Sequence, residues 1–212
     1  IGTTSVKGIA ADADGHVVAR VRVPHALIAS HAGELAHDAA AAWHDGPIAA
    51  LATLLDDNAM TGREVLAVNV AAMVPSLCAV DDAGRPISDG LLYGDHRGAG
   101  GQQGSNPSES GELARFLEWL VDAHPSAAGY WPAQAVANAA LSESGLDGGV
   151  IDSITAMTTL PLYDFTDWDP VVAATHGLTD VSRLPRIVSG HDSVCAVPAA
   201  GGAPLAAGTI DA

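Results

Sequence analysis

The chain has 212 residues, enough for one large domain or two small ones. Acidic residues outnumber basic ones 25 to 9, a formal charge of −16, which argues against nucleic acid or an anionic membrane as a general partner, since both need basic patches. No apolar run approaches the roughly 18 residues of a membrane span, and no signal-peptide pattern opens the chain. A cytoplasmic location is therefore expected.

In chain order, the first stretch is Ile1-Gly2-Thr3-Thr4-Ser5-Val6-Lys7-Gly8. β-type residues follow on either side of Asp14-Gly15, a tight-turn dipeptide, so residues 1–23 are expected to form strands joined as a hairpin, closed by Pro24. Gly2 lets backbone approach a ligand closely. Thr3, Thr4 and Ser5 offer hydroxyl and N–H groups, and Lys7 offers a cation. That set suits a phosphate held at a turn between two strands. It also suits a plain polar turn with no ligand, the commoner case for so short a motif.

From Glu34 to Leu55 apolar residues recur at near-helical spacing, and Gly46-Pro47 predicts a break or two helices there. Glu64–Val70 reads as a strand apolar enough to be central and covered on both faces. A loop, Ala71–Ser76, leads to a strand over Leu77–Val80, where Cys78 lies. Asp81–Pro86 is a turn, and Leu91-Leu92-Tyr93 is a short strand ending in Gly94-Asp95-His96-Arg97. Cys78 and Cys195, the only cysteines, sit in apolar surroundings and read as buried small hydrophobes, not a disulfide or metal pair. Residues 98–111 form a low-complexity loop whose glycines lack the spacing of a dinucleotide fingerprint.

Helices are predicted over Glu112–His124 and Pro132–Ser144, the second with Gly145 at its C-cap. Asp164 and Asp167, beside Trp168, resemble a carboxylate pair for acid–base work, but a turn and a helix N-cap explain them without catalysis. The chain closes through Leu184–Val188, a turn at His191-Asp192, and Gly202–Ala212. The order of elements fits a layered α/β fold.

Four stretches in this order resemble the FGGY carbohydrate kinases of the actin/hexokinase-like ATPase superfamily. They are Gly-Thr-Thr-Ser-x-Lys with its hairpin, the strand–loop–strand ending in Asp95-x-Arg97, Leu162-Tyr163-Asp164 followed by Trp168, and Gly202-Ala203-Pro204 leading to Asp211. The resemblance implies an RNase H-like α/β domain, a mixed five-stranded sheet with helices on both faces. It implies ATP and Mg²⁺ as cofactors and phosphorylation of a sugar hydroxyl. Gly2, Thr3, Thr4, Ser5 and Lys7 would hold phosphate. Met73, Val74, Pro75 and Asp95 would line the sugar, and Asp211 would be the catalytic base. No metal ligand is assigned.

Pro75 and the Leu92-Tyr93-Gly94 ending are similar to a subset that resembles xylulose kinases, which makes a ketopentose the expected substrate. In the family an Asp precedes the position of Ile1, and the region matching 98–111 is longer. The family's nucleotide-binding domain begins just after the position of Asp211. The expectation is therefore an amino-terminal, sugar-binding domain over 1–212, inactive alone, with a homodimer left open. The alternatives are a non-catalytic sugar-binding or regulatory module on the same fold, and an unrelated acidic interaction domain.

Overall fold

The structure is a computed structural model and describes residues 1–30, 33–99 and 111–211. The hairpin forms as expected: β1 (Ser5–Ala11) pairs antiparallel with β2 (Val17–Pro24). Its turn is closed by Asp12, whose Oδ1 accepts from the Asp14 and His16 N–H groups, with Gly15 at φ +83°. Residues 1–4 precede the first strand and form a turn in which the Gly2 N–H donates to Ser5 C=O at 3.1 Å.

A five-stranded sheet follows in the order β3 (Ile28–Ala29), β4 (Leu35–His37), β7 (Gly90–Leu92), β6 (Ser76–Val80) and β8 (Gly129–Trp131). Each neighbouring pair in it is antiparallel. The parallel component of the fold lies in two separate pairs. One joins β9 (Val150–Asp152) to β10 (Arg186–Val188), and the other joins β5 (Ala71–Ala72) to β13 (Thr209–Ile210). A second antiparallel pair, β11 (Ser193–Val197) with β12 (Ala203–Ala206), precedes β13. Cys78 is fully buried in β6, whereas Cys195, expected to be buried, is half-exposed in β11.

Several elements depart from the sequence expectation. Leu35 belongs to β4, and the helix begins only at Ala40. At Gly46-Pro47 the helix changes type, so two helical elements adjoin there, as the sequence allows. Residues Ala40–Asp45 form a π-helical turn that runs directly into α1 (Gly46–Leu55), with the Gly46 N–H donating to Ala41 C=O. Pro47 then falls in the first turn of α1, where its missing N–H costs nothing, and the wider turn before it relieves the crowding its ring would otherwise cause. Gly46 is required by packing: a Cβ there would lie 2.9 Å from Val6 Cγ2 of β1.

The larger correction is Glu64–Val70. It is not a strand covered on both faces. Only Val68 makes a bridge, to Leu205, and Leu66 is 72% exposed. An apolar run looks the same in sequence whether it is buried or lines a groove. Here it borders a groove of about 760 Å³ shared with Val6, Gly8, Leu54 and other residues of β1 and α1.

The core is centred on α3 (Ala133–Ser142), which is buried along its whole length. Its small side chains let β5, β6, β9 and β11 pack close. Two polar residues on it are tied to backbone: Gln134 Nε2 donates to Ala207 C=O, and Asn138 Nδ2 donates to Val150 C=O and Ala207 C=O, each at 2.9 Å. The helix ends at Glu143 in the left-handed region (φ 54°), with Gly145 two residues further on, so the cap is Glu143 and not the expected glycine.

Three helices complete the layer. The first, α2 (Glu112–Ala123), has Leu113, Phe116, Leu117 and Leu120 buried. Asp152 caps α4 (Ser153–Met157) and Asp169 caps α5 (Pro170–Thr175). Asp164 forms a turn by accepting from the Thr166 and Asp167 N–H groups, and the N-cap role expected of Asp167 falls to Asp169.

Candidate active site

Three chain segments meet at one end of the β5–β13 pair. Gly208 (φ +100°) turns the chain into β13. A Cβ there would lie 2.5 Å from Val70 C=O and 2.1 Å from Gln134 Nε2, so only glycine fits. Thr209 then donates to Val70 C=O at 2.9 Å and Asp211 to Ala72 C=O at 2.8 Å. On the other side of the same segment Met73 donates to Ile1 C=O at 3.0 Å, and the Ile1 amino group donates to Ala71 C=O. The result sets Asp211 beside the first turn of the chain: a Cβ on Gly2 would lie 3.7 Å from Asp211 Oδ2. Asp211 is exposed, and its carboxylate meets no hydrogen-bond donor among the described residues.

The turn itself is anchored at three successive carbonyls. Ser5 C=O takes the Gly2 N–H, and Thr4 C=O takes the His25 N–H at 3.1 Å. Thr3 C=O lies 2.8 Å from His37 Nε2. Thr3 Oγ1 is 3.0 Å from the Tyr93 hydroxyl. Thr4 is exposed, whereas Ser5 is buried and its hydroxyl accepts from Arg22 Nε at 3.1 Å. Ser5 therefore braces the hairpin with its side chain, and Arg22 adds a cation near the loop that sequence reasoning did not single out. Lys7 is exposed and stands opposite Arg22 across the hairpin. It lines the 760 Å³ groove, which reaches this site at Ile1 and Lys7.

The Met73–Ser76 loop is held from below. Ser76 Oγ donates to Met73 C=O and accepts from the Ala133 N–H, both at 3.1 Å, and Pro75 C=O takes the Tyr93 N–H at 3.1 Å. The Val74–Pro75 peptide is cis. Met73 and Pro75 are buried and Val74 is half-exposed, so Val74 is the side chain of this loop that faces outward.

Asp95 is placed differently. It is fully buried, and its carboxylate takes the Leu35 N–H at 2.6 Å, the Arg97 N–H and Nε at 2.8 Å, and Arg97 Nη2 at 2.6 Å. Burial alone would raise its pKa, but the hydrogen bonds from Arg97 and Leu35 outweigh it and hold the carboxyl below the usual carboxylate range. Arg97 in turn lies 5.0 Å over the Trp119 ring. Asp95 thus has no free oxygen for a sugar; it ties the β7 turn to β4. Tyr93, two residues earlier and 45% exposed, instead meets the glycine-threonine turn with its hydroxyl.

The fold is matched by solved structures. A xylulose kinase from Rhodospirillum rubrum superposes with a TM-score of 0.77 at 20% identity, over 99% of this chain and 47% of that one. A glycerol kinase from Plasmodium falciparum, solved with ADP, gives a TM-score of 0.80 at 16% identity over 99% and 47%. A gluconate kinase from Lactobacillus acidophilus gives 0.76 at 17% over 99% and 46%. The chain has the fold of a carbohydrate-kinase domain. It spans about half the length of these kinases. No family model matches the sequence, and no curated protein matches it.

Within this kinase fold, the structure brings Gly2, Thr3, Thr4, the Met73–Pro75 loop and Asp211 to one place, with Lys7 further along β1 and Asp95 behind the site. The site residues that sequence reasoning leaves out are Tyr93, His25, His37, Trp43 and Arg22. Tyr93 is visible as the end of a strand with a polar aromatic, a residue type that offers an apolar face and a hydrogen-bonding tip. The others act only through contacts between distant segments.

Among the described residues no metal-binding cluster lies at this site. The one group of acidic and histidine side chains close enough to share an ion is Asp12, Asp14 and His16, in the hairpin turn. Magnesium commonly binds through one or two carboxylates plus the phosphates of the substrate. The site fits that mode through the phosphates that the Gly2–Thr4 turn would hold, which would bring the ion with them.

Proposed function

We propose that this chain is the sugar-binding domain of an ATP-dependent carbohydrate kinase, with Asp211 as general base. One observation supports this above the others: an unpaired, exposed carboxylate is held beside a glycine-threonine turn by a continuous backbone ladder through Ala72, Met73 and Ile1. Phosphorylating a sugar requires a carboxylate to take the hydroxyl proton as its oxygen bonds to the γ-phosphorus and the bond to ADP breaks. Asp211 is free to accept that proton.

Gly2, Thr3, Thr4 and Lys7 would hold phosphate oxygens, and Mg²⁺ arriving with the nucleotide would neutralise charge there. Val74 and the Tyr93 ring would pack against the carbon face of the sugar. A ketopentose is the leading substrate, on the resemblance of the Pro75 loop and the Leu92-Tyr93-Gly94 ending to xylulose kinases. Residues 1–212 would act with a separate nucleotide-binding domain and would not turn over alone.

The test is sugar-dependent ADP release from Mg-ATP in a chain that carries both domains, over ketoses, aldoses, polyols and aldonates. A signal with one class that disappears in Asp211→Asn supports the proposal. Sugar binding without ADP release in a folded two-domain protein would replace it with the non-catalytic module.

A further inference from the structure

Beneath the loop lies a buried polar relay that the proposed chemistry does not use. His37 and Trp43 have no exposed surface. The Trp43 indole N–H donates to His37 Nδ1 at 3.0 Å, and His37 Nε2 is 2.8 Å from Thr3 C=O. An indole nitrogen can only donate, so Nδ1 must offer its lone pair and Nε2 must carry the proton. The imidazole therefore donates to Thr3 C=O in one defined tautomer. Burial lowers its pKa to about 4, which keeps the ring in the neutral form that the relay needs. Trp43 is wedged as well: a Cβ on Gly90 would lie 2.2 Å from its ring. The His25 ring stands edge-on to His37 with centroids 4.4 Å apart, while the His25 backbone N–H holds Thr4 C=O.

A trans peptide is planar, with its C=O and N–H pointing in opposite directions. Fixing Thr3 C=O inward therefore turns the Thr4 N–H outward. Thr4 is exposed, and its N–H meets no acceptor among the described residues. Resting on the reading of Gly2–Lys7 as a phosphate loop, we propose that the Trp43–His37 relay is a positioning device for that loop. It sets the Thr3–Thr4 peptide plane so that the Thr4 N–H faces an incoming phosphoryl oxygen. His37 is a positioning residue and touches no substrate. The donor is aimed before ligand arrives, so binding need not reorganise it.

The experiment titrates pyrophosphate into this chain while the Thr4 amide is followed in ¹⁵N–¹H spectra, alongside His37→Gln, His37→Leu and Trp43→Phe. Glutamine can donate to Thr3 C=O and accept from Trp43, so His37→Gln is expected to bind like the parent. His37→Leu, folded by its dispersed spectrum, is expected to bind at least tenfold more weakly. Equal affinity in a folded His37→Leu protein overturns the relay and leaves the phosphate loop standing. A parent Thr4 amide that does not respond at saturating pyrophosphate overturns both, while sugar-dependent ADP release still tests the kinase reading separately. Should His37→Leu fail to fold, Trp43→Phe decides. Mixed tautomers in the His37 ring nitrogen shifts with several-fold weaker binding support the relay, and mixed tautomers with unchanged affinity sink it.

Discussion

Asp95 and Asp211 each follow a short strand, and each is followed or preceded by small and hydroxyl-bearing residues. The fold puts them to opposite uses. Asp95 is buried under four hydrogen bonds, three of them from Arg97. Asp211 is exposed and, among the described residues, bonded only through its backbone N–H. A carboxylate whose lone pairs are all used is a structural tie, because taking a proton would cost it every partner. One whose lone pairs are free can accept a proton or meet a cation without disturbing the fold. The contrast separates scaffold from reagent, and it can be broken from either side.

The largest expected effect is on the reagent side. Asp211→Asn keeps the size and the backbone hydrogen bond but removes the carboxylate proposed as base. Losing a general base costs about 10²–10⁴ in rate, so kcat in the two-domain protein should fall by that much. Stability should move by no more than about 0.5 kcal/mol, as for surface positions without partners. Steady-state kinetics and urea denaturation measure the two. A fall in stability that matches the fall in activity would show that Asp211 is scaffold too.

Asp95→Ala should give the reverse pattern. It leaves the Arg97 guanidinium, 11% exposed, without its partner, and breaking a buried pair by removing one member costs about 3–5 kcal/mol. The Leu35 N–H loses its acceptor at the same time. The expected result is a chain that unfolds at much lower urea, with sugar affinity intact in whatever fraction remains folded. A stable Asp95→Ala protein that has lost sugar affinity would return Asp95 to the substrate-contacting set.

How much of this contrast is legible in the sequence follows from which contacts are local. The glycine-threonine turn, the hairpin and the Gly202–Asp211 stretch are short-range patterns, and the fold brings the first and last of them together. Local pattern misplaces Asp95 because its saturation depends on the Leu35 N–H, sixty positions earlier, which no short motif records. Leu35 itself reads as helical because near-helical spacing of apolar residues continues backward from α1 past the true start. Glu64–Val70 reads as a covered strand because hydrophobicity alone does not say whether a neighbour covers it. The His37–Trp43–Thr3 relay joins three elements, so only tertiary structure shows it.

Acid sharpens the comparison by a smaller effect. The folded pKa of His37, about 4, lies below its ordinary value of 6.5, so folding favours the neutral ring. Its contribution to stability is complete above pH 6.5 and is lost as pH falls from 6.5 through about 4. Asp95 is also lowered, from an ordinary value of 3.8, so its contribution persists above that value and is lost only below it. A tenfold change in proton affinity corresponds to about 1.4 kcal/mol, so His37 should account for a few kcal/mol at most. Urea midpoints measured from pH 7 to 4 should decline less steeply in His37→Gln, which does not titrate. His25, also lowered chiefly by burial, remains in both proteins and supplies the residual slope. Identical slopes would mean that His37 is not held neutral by the fold.

The smallest expected effect comes from Tyr93→Phe. Its ring would still lie against the sugar, and its N–H would still donate to Pro75 C=O, but the hydroxyl at 3.0 Å from Thr3 Oγ1 would be gone. A partly exposed hydrogen bond of this kind contributes about 0.5–1.5 kcal/mol. Thr3 would keep its carbonyl anchor on His37, so the loop should loosen without reorganising. The expected change is a few-fold rise in KM for ATP, with KM for sugar nearly constant, because the lost contact lies on the phosphate side of the ring. Tyr93→Ala removes the ring as well and should raise both. If Tyr93→Phe instead raised KM for sugar alone, the hydroxyl would be a sugar ligand and its bond to Thr3 a resting contact that substrate displaces.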